Sequence, residues 1–187
     1  RTTEGTALTS SASALFATPE VATATVDWSQ LPWLRPDQTD SAHAWLSSLS
    51  PGDPDQRLED LRSAPEDTPE VWLARGAEQL KAGRSVEAIK AANALLVEDP
   101  WDWRALWLTG LAHLQAGEAE AARGSFNAVY QQVPGELAPK LALAVACEAS
   151  GAPGVAEGLY RTCATTDAAY LPPAAFGMAR VRAGRGD

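Results

Sequence analysis

The stretch "GAEQLKAGRSVEA" (Gly76–Ala88) returns 34 residues later as "GLAHLQAGEAEAA" (Gly110–Ala122). Under that shift Gly76 falls on Gly110, Gly83 on Gly117, Ala88 on Ala122 and, further along, Pro100 on Pro134. A second step carries Gly117 to Gly151 and Ala122 to Ala156, and puts the still-small Ala144 where Gly110 stood. Each position has a mechanical reading. Gly76, Gly110 and Ala144 fall in mid-helix, where glycine costs about 1 kcal/mol against alanine and is kept where a neighbouring helix must come close. Gly83, Gly117 and Gly151 end a helix with a left-handed cap. Ala88, Ala122 and Ala156 let a second helix pack tightly on the first. Pro100 and Pro134 stop that second helix, and the third repeat carries Ala168 at the matching place.

A 34-residue period with this pattern is the signature of tetratricopeptide (TPR) repeats. The register predicts helices near 69–82, 86–98, 102–116, 119–132, 136–150, 153–165 and 173–183. The repeats then run over about 69–101, 102–135 and 136–169, with a partial fourth at 173–187, inside a TPR domain spanning 68–187. The last stretch, "LPPAAFGMARVRAGRGD", reads as the first helix of that fourth repeat; Gly177 and Gly184 keep the seven-residue interval of Gly76–Gly83, one residue out of register. Ahead of the repeats, residues 40–63 read as a non-canonical helical hairpin. Asp40 caps a helix through about Leu49, Pro51 and Gly52 end it, and Asp53-Pro54 starts a second helix carrying Leu58 and Leu61. Residues 1–39 read as a linker or extended segment leading from a preceding domain. Residues 1–26 are rich in Thr, Ser and Ala, with a short strand at "VATATV" (Val21–Val26); "WSQLPWLRP" (Trp28–Pro36) is apolar, broken by two prolines, and reads as an extended segment lying on the next domain. The expected fold is therefore all-α: a right-handed TPR α-solenoid of three repeats plus part of a fourth, preceded by the hairpin and the extended segment.

Composition sets outer limits on function. Of 187 residues, 45% are hydrophobic and 21% charged, which suits a globular core. The net charge of −9 argues against nucleic acid and against anionic membranes as partners. No run approaches the roughly 20 apolar residues of a membrane span, and no signal-peptide pattern is visible. Arg1 at the start and "RAGRGD" at the end lead us to expect an excised piece of a longer chain. Cys147 and Cys163 both lie in apolar helical contexts and read as buried free thiols, which suits a cytoplasmic protein. His43 and His113 stand far apart, so no metal cluster and no cofactor are expected.

"VPGELAPKLALA" (Val133–Ala144) closely resembles the repeat region of PknG-type serine/threonine kinases of actinobacteria. So do W-x-W-R-x-x-W at Trp101, Trp103, Arg104 and Trp107, "LEDLRS" (Leu58–Ser63) and "AAFGMARVR" (Ala174–Arg182). The likeness is good from about Leu58 to the end and weaker before it. It implies a cytosolic kinase that controls carbon and nitrogen metabolism by phosphorylating forkhead-associated-domain regulators, with a rubredoxin-like domain and a kinase domain ahead of the repeats. The chain itself has no glycine-rich phosphate loop, no H-R-D and no D-F-G, so it is expected not to be an enzyme. The implied role is a non-catalytic interaction or scaffold module that presents substrate, stabilises the kinase domain or self-associates as a homodimer. The implied partners are the kinase domain and a forkhead-associated-domain regulator. The alternative is a free-standing TPR adaptor that binds an extended peptide.

In a TPR superhelix the first helix of each repeat lines the concave face, where partner peptides bind. The register puts Leu73, Ala77, Leu80, Arg104, Trp107, Leu111, Leu114, Leu141, Val145 and Glu148 there. The groove is apolar, unlike those that hold a chaperone C-terminus with Lys, Arg and Asn. It either stands open to a peptide or is covered by the protein's own chain, "WSQLPWLRP" being one such cover. Among the tryptophans, Trp72 takes the repeat's early aromatic core position. Trp101 lies in the inter-repeat turn and Trp103 packs repeats together. Trp107, one past the equivalent place, turns toward the groove as a recognition residue. Glu66-Asp67 and Glu98-Asp99 read as helix ends, and the terminal "RGD" as chance.

Overall fold

The structure is a computed structural model that describes residues 28–186. The strand expected at Val21–Val26 lies outside them. The described residues form nine α-helices and two 3-10 turns: α1 (His43–Ser48), α2 (Pro54–Arg62), α3 (Pro69–Lys81), α4 (Ser85–Glu98), α5 (Trp103–Gln115), α6 (Ala119–Gln132), α7 (Leu137–Ala149), α8 (Pro153–Thr166) and α9 (Leu171–Arg185), with the turns at Trp28–Gln30 and Ala168–Tyr170. Each helix packs on the next from α2 to α9, and α3 also touches α5, as α7 touches α9. This is an all-α solenoid of stacked helix pairs.

The repeated residues do what their spacing requires. Gly83, Gly117 and Gly151 take φ of 75°, 77° and 75°, the left-handed region that glycine enters at no steric cost. Behind each, two backbone bonds close the helix in the same way. The N–H of Gly83 reaches the Leu80 carbonyl and that of Arg84 the Gln79 carbonyl; Gly117 and Glu118 pair likewise with Leu114 and His113, and Gly151 and Ala152 with Glu148 and Cys147. This Schellman arrangement satisfies carbonyls that a helix end otherwise leaves to solvent. Ala88, Ala122 and Ala156 are wholly buried.

The mid-helix glycines serve three different approaches. A Cβ on Gly76 would collide with Leu108 of the next repeat, one on Gly110 with Phe126 of its own repeat, and one on Gly177 with Tyr160 of the repeat before. The first helix of the partial fourth repeat starts two residues earlier and ends two later than expected. Its left-handed cap is Gly186, at φ 80°, and Gly184 stays inside the helix.

Side-chain N-caps mark the starts of α2, α3 and α5. Asp53 accepts from the N–H groups of Asp55 and Gln56 ahead of Pro54, and Thr68 and Asp102 cap α3 and α5. The helix expected from Asp40 to Leu49 is shorter, His43–Ser48. Asp40 does not cap it; its carboxylate accepts from the N–H of Ala42 and from that of Glu70, tying the turn before α1 to the start of α3.

Candidate functional site: the first-helix face

The extended segment lies across α3 and α5. Leu31 is 2% exposed and sits in the main core, with Trp28, Trp33 and Leu34 packed against it. The turn at Trp28–Gln30 touches α5. Trp28 meets Trp33 edge to face at 6.4 Å, and the Lys81 ammonium stands 5.6 Å from the Trp33 ring centre. The first-helix face of the first two repeats is thus covered by the chain's own Trp28–Pro36.

The residues expected on this face are mostly interior. Leu73, Leu80, Leu111, Leu141 and Val145 are buried, and Leu114 is half-buried against the core. Trp107 is 1% exposed, with its ring edge to face against Phe126 at 5.2 Å. It is a core residue below the segment and presents no open surface to a partner. Its place one residue past the aromatic position turned it inward between helices as well as toward the groove. Trp101, by contrast, is 69% exposed in the inter-repeat turn, where its N–H is held by the Asp99 carboxylate at 2.9 Å. Trp103 packs on the core, half-buried. Trp72 is half-buried rather than core, with the Arg75 guanidinium 4.7 Å above its ring.

The two charged residues of the set are clamps between repeats. Arg104 donates to Glu70 at 2.7 Å, one full period away, and lies beside its own cap, Asp102, at 3.6 Å. Glu70 is 6% exposed; burial pushes its carboxyl above the usual range, and a backbone donor at Asp37 and the Arg104 charge pull it back. Glu148 takes two bonds from Arg180, at 2.8 and 2.9 Å, and one from the Tyr160 hydroxyl at 2.6 Å. Burial, then the Glu148 acceptor, raise the Tyr160 hydroxyl far above the usual phenol range, so it stays a donor. A third clamp, from the Gln115 amide to the Leu80 carbonyl at 2.7 Å, joins the ends of α5 and α3. Sequence reading missed these links, although Glu70 and Arg104 are opposite charges 34 residues apart.

Other candidates resolve simply. His113 pairs with Glu118 at 2.5 Å beside the α5 cap. Cys147 and Cys163 are buried free thiols, and burial pushes Cys163 up to about 12, far from a reactive thiolate. Arg185 of the terminal tripeptide is the last residue of α9 and pairs with Glu157. Among the described residues no His, Cys, Asp and Glu are grouped to hold a metal, and no helix is long and apolar enough to cross a membrane.

Helix pairs stacked at this period, with a first-helix face built to take an extended segment, define a tetratricopeptide interaction module. The chain belongs to the protein kinase G tetratricopeptide repeat family, whose model matches residues 11–187. It is 33% identical over 162 residues to the serine/threonine-protein kinase PknG of Mycobacterium leprae (strain TN), covering 81% of this chain and 21% of that protein. Over 162 residues it is 29% identical to PknG of Mycolicibacterium smegmatis (strain ATCC 700084 / mc(2)155), with the same coverage. The chain spans about a fifth of the length of these curated relatives, and what it matches is their repeat region rather than their kinase domain.

Proposed function

We propose that the chain is the non-catalytic interaction and scaffold module of a PknG-type serine/threonine kinase working in the cytoplasm. In this reading its partner is the kinase domain, a forkhead-associated-domain regulator or both, with a second copy of the chain as the alternative. The peptide-holding surface in this reading is the first-helix face, with Leu73, Trp107 and Leu111 beneath the segment that covers it; Leu80, Leu114, Leu141 and Val145 pack in or against the core, and Arg104 and Glu148 link repeats. One observation carries the reading. In the first two repeats that face holds an extended segment, and the segment is the chain's own Trp28–Pro36. A chain seated there fixes where Trp28, the start of the segment, stands relative to the solenoid. Stabilising a kinase domain, or setting a substrate beside it, needs such a fixed distance.

The test is a full-length PknG-type kinase carrying this module, with Leu31→Asp and Trp33→Ala together. The expected result is a raised KM for the regulator protein or a lowered melting temperature of the kinase domain. Unchanged values of both would overturn the proposal. The isolated chain, incubated with labelled ATP and a regulator, should transfer no phosphate; transfer would overturn the non-catalytic reading.

A further inference from the structure

Packing accounts for Trp103 and Trp107 but not for Trp101. Its side chain is 69% exposed, and Val97, at the end of α4, is exposed as well. The repeat geometry does not require an aromatic there. Under the 34-residue shift Trp101 falls on Gly135, and one step further on Ala169. Both of those junctions stack their helices without a large side chain. Trp101 therefore offers a surface, and exposed tryptophans of this kind are enriched among the residues that anchor protein interfaces.

The same junction carries charge that the others lack. Glu98, Asp99 and Asp102 fall on Gln132, Val133 and Glu136, and then on Thr166, Asp167 and Tyr170. Asp37, Asp99, Trp101, Asp102 and Trp103 line one open recess of about 850 Å³ between the end of the segment and the junction. Arg35 and Arg104 also stand on its wall. Arg104 is taken up by Glu70 at 2.7 Å. The N–H and hydroxyl of Thr39 donate to Asp37 and hold its carboxyl below the usual range. With Glu70 and Arg104 set against each other, Asp37, Glu98, Asp99 and Asp102 outnumber Arg35 by three charges. The face of a tryptophan ring attracts a cation, and a guanidinium can also stack on it. An exposed indole in an acidic recess thus complements a basic side chain in shape and in charge.

We infer that this junction is a docking surface for a basic segment of a partner protein. One arginine of that segment lies along the Trp101 ring, with its guanidinium drawn to Asp99 and Asp37. Trp28–Pro36 keeps its seat on the first-helix face while this surface is filled.

The test uses the whole 187-residue chain, labelled with ¹⁵N, and three pentapeptides blocked at both ends: Gly-Arg-Leu-Arg-Gly, Gly-Gln-Leu-Gln-Gly and Gly-Glu-Leu-Glu-Gly. The expected result is saturable movement of the Trp101 and Trp103 indole N–H signals by the arginine peptide, with a dissociation constant on the order of 1 mM for so short a ligand. The glutamine peptide should bind at least several-fold more weakly and the glutamate peptide not at all. Trp101→Ala removes an exposed ring, so its melting temperature should match the wild type, while binding read at Trp103 falls at least tenfold. Asp37→Asn with Asp99→Asn keeps the acceptors for Thr39 and Trp101 and should bring the arginine peptide down to the level of the glutamine peptide. Glu59→Gln with Asp60→Asn removes two charges from α2 and should leave the affinity unchanged. No saturable movement in the wild-type chain, or binding that survives Trp101→Ala, would overturn the site. Equal affinity for the three peptides, or equal weakening by the α2 changes, would overturn the recognition of a basic segment at this junction.

Discussion

The two ends of the solenoid hold their helices by different means. Across the first and second repeats the packing is apolar and deep: Leu108 of the second presses onto Gly76 of the first, Trp107 meets Phe126 within the second, Leu31 is buried in the same core, and one carboxylate–guanidinium pair, Glu70–Arg104, joins the two repeats. At the other end α9 has little bulk to insert. Tyr160 seats on Gly177, Ala174 and Val181 are buried, and charged links add to them: Arg180 to Glu148, and Arg182 and Arg185 to Glu157. The larger apolar side chains of α9, Leu171 and Phe176, are exposed. The same repeat geometry is thus compatible with stacking by volume and with stacking by charge, and the two respond to different perturbations.

Trp107→Ala should be the most damaging substitution, costing about 3–5 kcal/mol in urea unfolding, because it empties the centre of the apolar end. If it cost no more than the C-terminal changes below, the contrast between the ends would fail. Arg180→Met should cost about 1–2 kcal/mol, less than for a fully buried pair, since both partners keep some solvent contact. Gly151→Ala should cost about 1–2 kcal/mol by forcing a side chain into the left-handed region, a price set by the backbone at that cap rather than by what packs there. Arg182→Ala should fall within error of wild type, because Glu157 keeps two other arginines and Arg182 is exposed.

Salt and acid sharpen the same contrast. At about 1 M salt, where charges are screened within about 3 Å, amide exchange should accelerate in α9 and hold steady in α5. Hydrogen bonding by Arg182, with the arginine charges, holds Glu157 below the usual carboxylate range. Its contribution is therefore present above the ordinary carboxylate pKa and lost as pH falls through the lowered one. Glu70 is raised by burial, so its contribution is present at low pH and declines as pH rises through its raised value. Below about pH 4 protection from exchange should fall in α9, while the titration of Glu70 removes none from α3. Loss of protection in α3 ahead of α9 would overturn this account.

Most of the architecture was readable because repeat structure is local and periodic. The capping glycines and the packing alanines are each specified by neighbours within a few residues, and a fixed period multiplies the signal. The roles of the face residues were not readable in that way. Trp107, Arg104 and Glu148 lie on helices whose register was right, but their surroundings come from elsewhere: a non-repeating segment at 28–36, a carboxylate one period back, and a helix that slipped register. Glu70 and Arg104 carried a usable signal, opposite charges at the repeat spacing. Glu148 and Arg180, 32 residues apart, hid theirs because α9 is displaced from the strict period. Asp40 misled for a related reason: an aspartate before a helix reads as its cap, whereas this one also ties to the start of a different helix.

The segment across α3 and α5 also changes what a binding assay on this module can see. It is joined to α3 by the 32 residues from 37 to 68, so it competes for the face at an effective concentration that for a short tether is on the order of millimolar. A free peptide with the same intrinsic affinity would have to be supplied at comparable concentration to displace half of it. Peptide screens run at micromolar concentration will therefore report an inert surface. A partner that does succeed must bring either a second point of attachment or a sequence that fits better than Trp28–Pro36.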